Sequence, residues 1–256
     1  MSLPDDVIDF LACLAPMDPV GVAKTRIGGD ADGGYVMLDV IPPGTPILSY
    51  GVGPDISFDL AMAERGHPVT AFDHTVETIP GAHENLRWVR EGIGERDAPE
   101  RHLASLATHT ARHAPQGQDM ILKLDVEGAE WHALLAAPDA LLARFQQIVG
   151  EFHSFESIAH AGGLGLRRDV LQKLLRQFAL VHVHSNNSQP FFTVHGMPVS
   201  NLLELSFVRR DVCRTVPSTA LFPTALDRPC NPRAPEHRLW FYPFLPGTAH
   251  GICRTA

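Results

Sequence analysis

The chain has no Cys-x-x-Cys pair. Its four cysteines, Cys13, Cys213, Cys230 and Cys253, lie far apart, which excludes a zinc knuckle or a dithiol redox motif and reads as four reduced thiols. Clustered positive charge is lacking too. Lys and Arg number 21 against 29 Asp and Glu, for a net charge of -8, and the Arg pairs at 167–168 and 209–210 stand alone. A protein that grips phosphates needs a basic stripe, so no nucleic-acid partner is expected. No apolar run reaches the length of a membrane span. The first residues, MSLPDDVIDFLACLAPMDP, carry acids where a signal peptide has a basic region. A soluble, cytoplasmic protein with no membrane partner is expected. At 45% hydrophobic and 20% charged residues over 256 positions, the chain can bury one substantial core, which excludes disorder.

What is present is an alternation. Residues 1–45 read as a lead-in, with a helix candidate from Val7 to Leu14 and the Gly-rich RIGGDADGGYVMLD. From Pro46 to about residue 211, short β-type runs alternate with helical ones: PILSYG, DISFDLAMAERG, VTAFD, LRWVREG, a helix around APERHLASLATHTARH, MILKLDV, EWHALLA, QIVGEFHSF, RRDVLQKLLRQF and ALVHVHSNN. Such a pattern calls for a doubly wound α/β domain with a parallel sheet covered on both faces. The last run, LLELSFVRR, follows a loop with no helix, so it pairs antiparallel with ALVHVHS at one edge. The expected fold is a mostly parallel seven-stranded sheet with an antiparallel edge strand. That arrangement resembles class I methyltransferases, whereas dinucleotide dehydrogenases keep a helical crossover there. Residues 212–256 are Pro-rich and aperiodic, an irregular tail packed on the same domain and anchored through RLWFYPF.

Gly51 and Gly53 close the first strand, and Asp73 closes the second about twenty residues later. Glycines there let the backbone turn and approach a ligand, while the acid is placed to accept hydrogen bonds from a ribose diol. The full dinucleotide fingerprint needs a third glycine, and that position is Ile56. S-adenosylmethionine has no pyrophosphate to cradle, so it fits this shorter pattern better. An NAD-dependent oxidoreductase is the first alternative, and a non-catalytic cofactor-binding module of the same fold is the second. A plain loop with Asp73 capping a turn is the structural alternative.

The run MILKLDVEGAEWHALL, residues 120–135, with IVGEFH, VHVHSNN and LLELSFVRR following in order, resembles the hallmark of FkbM-type methyltransferases, a class I S-adenosylmethionine-dependent family. The first strand departs from the family's usual D-x-G-A-N-x-G. The lead-in RIGGDADGGYVMLD resembles a divergent branch of methyltransferase-like proteins. The resemblance implies O-methylation of a hydroxyl on a small carbohydrate or natural product, with that small-molecule acceptor as partner.

Alkyl transfer to an alcohol requires alignment of nucleophile and methyl group and removal of the hydroxyl proton. Asp125, ending the fourth strand, is a candidate for orienting the acceptor or taking its proton, or else the N-cap of the next helix. Glu127 and Glu130 read as acids facing the dipole of that helix. Glu151 and His153 share a strand face, as do His182 and His184. His153 and His184 are the candidate bases, with Glu151, His182 and Asn186 as acceptor contacts. The same residues with Asp125 make an N/O set for a divalent metal. Core histidines and ordinary turn asparagines are the structural alternatives. Asp30 and Asp32 in Gly28–Tyr35 belong either to a lid over the cofactor or to a glycine-rich hairpin turn.

Overall fold

The computed structural model describes residues 3–248. Seven strands, β1 (Ile47–Tyr50), β2 (Val69–Phe72), β3 (Leu86–Val89), β4 (Met120–Leu124), β5 (Phe145–Phe152), β6 (Phe178–Ser185) and β7 (Leu203–Arg209), form one sheet in the order β6-β7-β5-β4-β1-β2-β3. Neighbours from β5 to β3 are parallel, and β7 is antiparallel to both β5 and β6. The β6–β7 hairpin therefore makes one end of the sheet, with β6 outermost and β7 inserted beside β5. This is the strand order of the class I methyltransferase fold.

The central strands are buried along their whole length, β1, β4, β5 and β6 without exception. That is why they read as largely apolar runs, interrupted by buried polar residues such as Lys123, Gln147 and His184, with both faces of the sheet covered. One face carries Leu48, Tyr50, Leu122, Leu124, Ile148 and Phe152. It packs on helices α1 (Leu3–Ala12), α3 (Leu106–His113), α4 (Ala129–Ala136), α5 (Asp139–Leu142) and α6 (Ala161–Gln177) through Phe10, Leu106, Trp131, Leu142, Val170, Leu171 and Leu174. The buried positions 170, 171 and 174 of α6 form the expected helical stripe. The stretch around APERHLASLATHTARH is not one helix. His102 takes a left-handed backbone after a 3₁₀ turn at Pro99–Arg101, and α3 starts only after Ser105, whose hydroxyl accepts from the Thr108 N–H at 3.2 Å.

The other face has one helix, α2 (Ser57–Glu64). That face is further covered by the tail over the ends of β6 and β7 and by the hairpin of Lys24–Ile27 with Tyr35–Leu38, which contributes Ile27, Tyr35 and Met37 to a core with Phe58, Met62, Ile121 and Val149. A hairpin brings backbone polar groups onto a sheet, and these need partners. Fully buried Gln147 on β5 provides them, accepting from Leu38 N–H at 2.8 Å and donating to its carbonyl at 3.0 Å. The tail begins with Thr215–Pro217, which pairs antiparallel with Met17–Pro19. Phe222, Leu239 and Phe244 are buried, while Trp240 is exposed, so only part of RLWFYPF anchors the tail. Cys213 and Cys230 are free thiols, whereas Cys13 is disulfide-bonded, which corrects the reading of four reduced thiols; Cys253 lies outside the described residues. Among those residues no helix is long and apolar enough to cross a membrane.

Candidate functional site

At the carboxyl ends of β1, β2 and β4 lies a cavity of about 420 Å³, where ligands of open α/β sheets sit. Gly51, Gly53, Asp73, Asp125 and Glu151 all line it, joined by Asp32 from the lead-in, Asp55 and Asp59 flanking the start of α2, and Glu127. Phe72, Ile93, Val52 and Val126 give it apolar wall.

The tip of β1 is shaped by its neighbour on β4. Gly51 has φ 75°, and a Cβ there would fall 1.5 Å from the Asp125 carbonyl oxygen. This glycine serves the close approach of two strand ends. Gly53 (φ 54°) has open space at its Cβ position, leaving room for a ligand beside it. Asp73 holds this turn: Oδ2 accepts from Val52 N–H at 3.1 Å and Gly53 N–H at 3.2 Å, and Oδ1 accepts from Thr75 N–H at 2.7 Å and its hydroxyl at 2.6 Å. Burial opposes the carboxylate, but the Thr75, Gly53 and Val52 bonds outweigh it and hold the Asp73 carboxyl below its ordinary range. Ile56, where a third fingerprint glycine would stand, packs in a small core with Val52 and Ala71.

Buried Lys123 fastens the β4 tip. Its ammonium donates to the Gly51 carbonyl at 2.6 Å and the Tyr50 carbonyl at 3.3 Å, and lies 3.7 Å from Asp125 Oδ2. The Tyr35 hydroxyl donates to the same carboxylate oxygen at 3.3 Å. Asp125 does not cap α4. The chain instead turns through Glu127 (φ 53°) and Gly128 (φ 101°), with Gly128 at the N-cap.

The turn sets Glu130 and Trp131 in the first helical turn, and both reach His153. Fully buried Glu130 accepts the His153 N–H at 2.7 Å and meets its ring Nδ1 at 3.3 Å, while the Trp131 indole donates to the His153 carbonyl at 2.8 Å. The other ring nitrogen, Nε2, is left among three carboxylates: Glu127 and Glu151 at 3.5 Å and Asp125 at 3.9 Å. Burial disfavours the imidazolium, but the hydrogen bond and charge of Glu130, with Asp125 and Glu127, raise the His153 pKa. Glu151 moves much further, to about 10, through burial and the charges of Asp125, Glu204 and Asp32, against the hydrogen bond from Asn186 at 2.8 Å.

His182 and His184 stand apart from the cavity wall. His182 meets Asp227 of the tail at 2.7 Å, and His184 lies between Glu204 on β7 and Glu236 of the tail. The nearby charge of Glu204 and the hydrogen bond to Glu236 overcome burial and raise the His184 pKa to about 10. Asn186 reaches the cavity only through Glu151. Of the Gly28–Tyr35 loop, Asp32 lines the cavity, whereas Asp30 is exposed and pairs with Arg228 at 3.6 Å. Sequence reasoning missed Lys123, Tyr35, Asp32's partnership with Glu151, Glu204 and the tail acids. Only Lys123 carried a signal, as a lysine inside an otherwise apolar strand.

A family model described as the methyltransferase FkbM domain matches residues 38–178, just over half of the chain. Among solved structures, the 23S rRNA methyltransferase ErmE is 14% identical with a TM-score of 0.37, covering 80% of this chain and 67% of that one. A SAM-dependent methyltransferase from Agrobacterium tumefaciens is 16% identical with a TM-score of 0.35, covering 66% and 57%. The plantazolicin methyltransferase BamL, in complex with a triazolic desmethylPZN analog and SAH, is 10% identical with a TM-score of 0.35, covering 80% and 82%. Likenesses this distant add no weight to the family match. No curated protein sequence matches the chain.

Proposed function

The chain belongs to the methyltransferase FkbM domain family, and from that premise we propose that it transfers a methyl group from S-adenosylmethionine to a hydroxyl of a small carbohydrate or natural product. The observation that carries this reading is the convergence of the Gly51–Gly53 turn, Asp125 and Glu151 on one cavity at the strand tips, with His153 outside that lining but 3.5 Å from Glu151 and 3.9 Å from Asp125. S-adenosylmethionine fits the residues present. Gly53 leaves space at the turn, Phe72 and Ile93 offer apolar wall for a nucleoside base, and the acids around Asp125 favour a cation. Bound there, it supplies an electrophilic methyl on a sulfonium. Asp73 contributes by fixing the turn, since its own chain already fills its acceptor sites.

His153 is the proton acceptor. Nε2 lies 3.5 Å from Glu151 and 3.9 Å from Asp125, both of which line the cavity, and the imidazolium formed there is held by Glu130, Asp125 and Glu127. Asp125, anchored by Lys123 and Tyr35, positions the acceptor hydroxyl. Glu151, neutral over the physiological range, serves as a hydrogen-bond donor to it. The net charge of -8 and the acidic rim favour a small acceptor over a nucleic acid. We take residues 1–45, 46–211 and 212–256 as one working unit, a reading supported by the pairing of Met17–Pro19 with Thr215–Pro217. The test is a panel of hydroxylated acceptors offered with labelled methyl donor. Label should appear on an acceptor oxygen, and donor binding with no turnover on any acceptor would favour the non-catalytic reading.

A further inference from the structure

Three buried groups outside the methyl-transfer machinery meet on the hairpin-covered face of the sheet. His184 on β6 and Glu204 on β7 are register partners, so their side chains share a face. Cys230, from the tail, closes over them. The three residues are 1%, 5% and 6% exposed. A nitrogen, a carboxylate oxygen and a sulfur from this trio lie within 4.8 Å of one another.

The hydrogen-bond pattern is incomplete in a specific way. His184 Nε2 is 3.2 Å from Glu236 Oε1. A carboxylate only accepts, so Nε2 carries a proton, and Nδ1 is the nitrogen that can give up its own proton and present a lone pair. That nitrogen is fully buried and has no hydrogen-bond partner, although Glu204 Oε2 lies 3.1 Å away. A lone pair facing a carboxylate oxygen is repulsive unless a cation lies between them. Two cations can stand between these atoms: a proton, which leaves an imidazolium paired with Glu204 in poor hydrogen-bond alignment, or a metal ion, which replaces that proton and accepts ligand atoms converging from different directions.

We propose that His184 Nδ1, the Glu204 carboxylate and the Cys230 thiolate bind a divalent zinc ion. Imidazole, carboxylate and thiolate are its protein ligands, and the thiolate selects against magnesium and calcium. Glu236 has the part such sites require beyond the ligands, fixing the tautomer and orientation of the imidazole through its other nitrogen. Binding displaces the thiol proton that Cys230 otherwise donates to Glu204 at 2.8 Å. The ion ties the tail to β6 and β7. Through Cys230, whose sulfur also groups with Asp32 and Glu151, it adjoins the wall of the cavity.

The test uses the full chain, stripped with a chelator and titrated with zinc against a chromophoric competitor, then with cobalt(II) to reveal thiolate ligation as a near-ultraviolet charge-transfer band. One zinc per chain and the band are expected. Cys230→Ser should remove the band and weaken zinc binding more than about a hundredfold, and Glu236→Gln, on the partly exposed rim, should weaken it roughly ten- to a hundredfold. Cys213→Ser and His153→Ala, the latter in the separate cluster with Asp125 and Glu127, should leave both signals intact. Absence of zinc binding, a band that survives Cys230→Ser, or loss of the metal on His153→Ala alone would overturn the proposal. Near-ultraviolet circular dichroism identifies variants that fail to fold, for which Glu236→Gln gives the decisive comparison. Zinc binding is read without turnover, so its failure is distinct from failure of the methyltransferase reading.

Discussion

Gly51 and Asp125 touch across two strand tips so closely that a single methyl group would place carbon 1.5 Å from the Asp125 carbonyl oxygen. Backbone meets backbone there, so no side-chain rotation relieves the clash, and φ at Gly51 is in the left-handed region besides. Gly51→Ala should therefore cost about 3 kcal/mol or more of stability. Gly53→Ala, with the same sign of φ but open space, should cost only about 1–2 kcal/mol. Urea midpoints for both variants check this, and equal losses would show that the strand-tip contact does not matter.

Asp73→Ala removes a carboxylate that accepts four hydrogen bonds within its own chain. Cofactor affinity should fall by about 1–3 kcal/mol as the Gly51–Gly53 turn loosens. Titration calorimetry reads it directly; an unchanged dissociation constant would remove Asp73 from the cofactor seat.

Glu151 gives a pH signature. Its pKa is raised from 4.5 to about 10, so between those values the folded state holds a proton that the unfolded state has released. Stability from this group consequently declines as pH rises through that window. Glu151→Gln keeps an acceptor for Asn186 and abolishes the decline. The variant's melting temperature should exceed that of the parent at pH 8–9, with the gap closing toward pH 5. A constant gap would show that Glu151 is ionised in the folded protein.

His153 makes the complementary prediction. Its raised pKa means that its stabilising contribution is complete below the ordinary histidine value and lost as pH rises through the folded one. The same deprotonation produces the base, so methyl transfer should climb with pH above neutrality. His153→Ala should abolish turnover and spare cofactor binding. Glu130→Gln, which leaves the ring in place but removes the charge beside Nδ1, should move the rising limb to lower pH. An unshifted limb would separate Glu130 from the chemistry.

The fold was legible because the sheet's burial is written in β1, β4, β5 and β6 as short, largely apolar runs, and because the missing helix between β6 and β7 declared their antiparallel pairing. The turn at the strand tips was legible from Gly51, Gly53 and Asp73, though what each does was not. Gly51 faces a carbonyl on another strand, and Asp73 faces its own loop, relationships set by tertiary approach and invisible in spacing. The cover of the second face was hidden for a different reason. A hairpin stands where a helix is usual, and irregular Pro-rich sequence supplies Asp227, Cys230 and Glu236 to the strand histidines. Aperiodic segments carry no face to read, so a residue such as Glu204 gave no sign of its partners.

The central claim is that the strand-tip cavity seats S-adenosylmethionine. Calorimetric titration of that compound into the wild-type protein tests it most directly. The account predicts saturable one-to-one heat that S-adenosylhomocysteine displaces, and no fluorescence change with reduced nicotinamide dinucleotide. Absence of heat with the methyl donor, or a nicotinamide signal in its place, would contradict it.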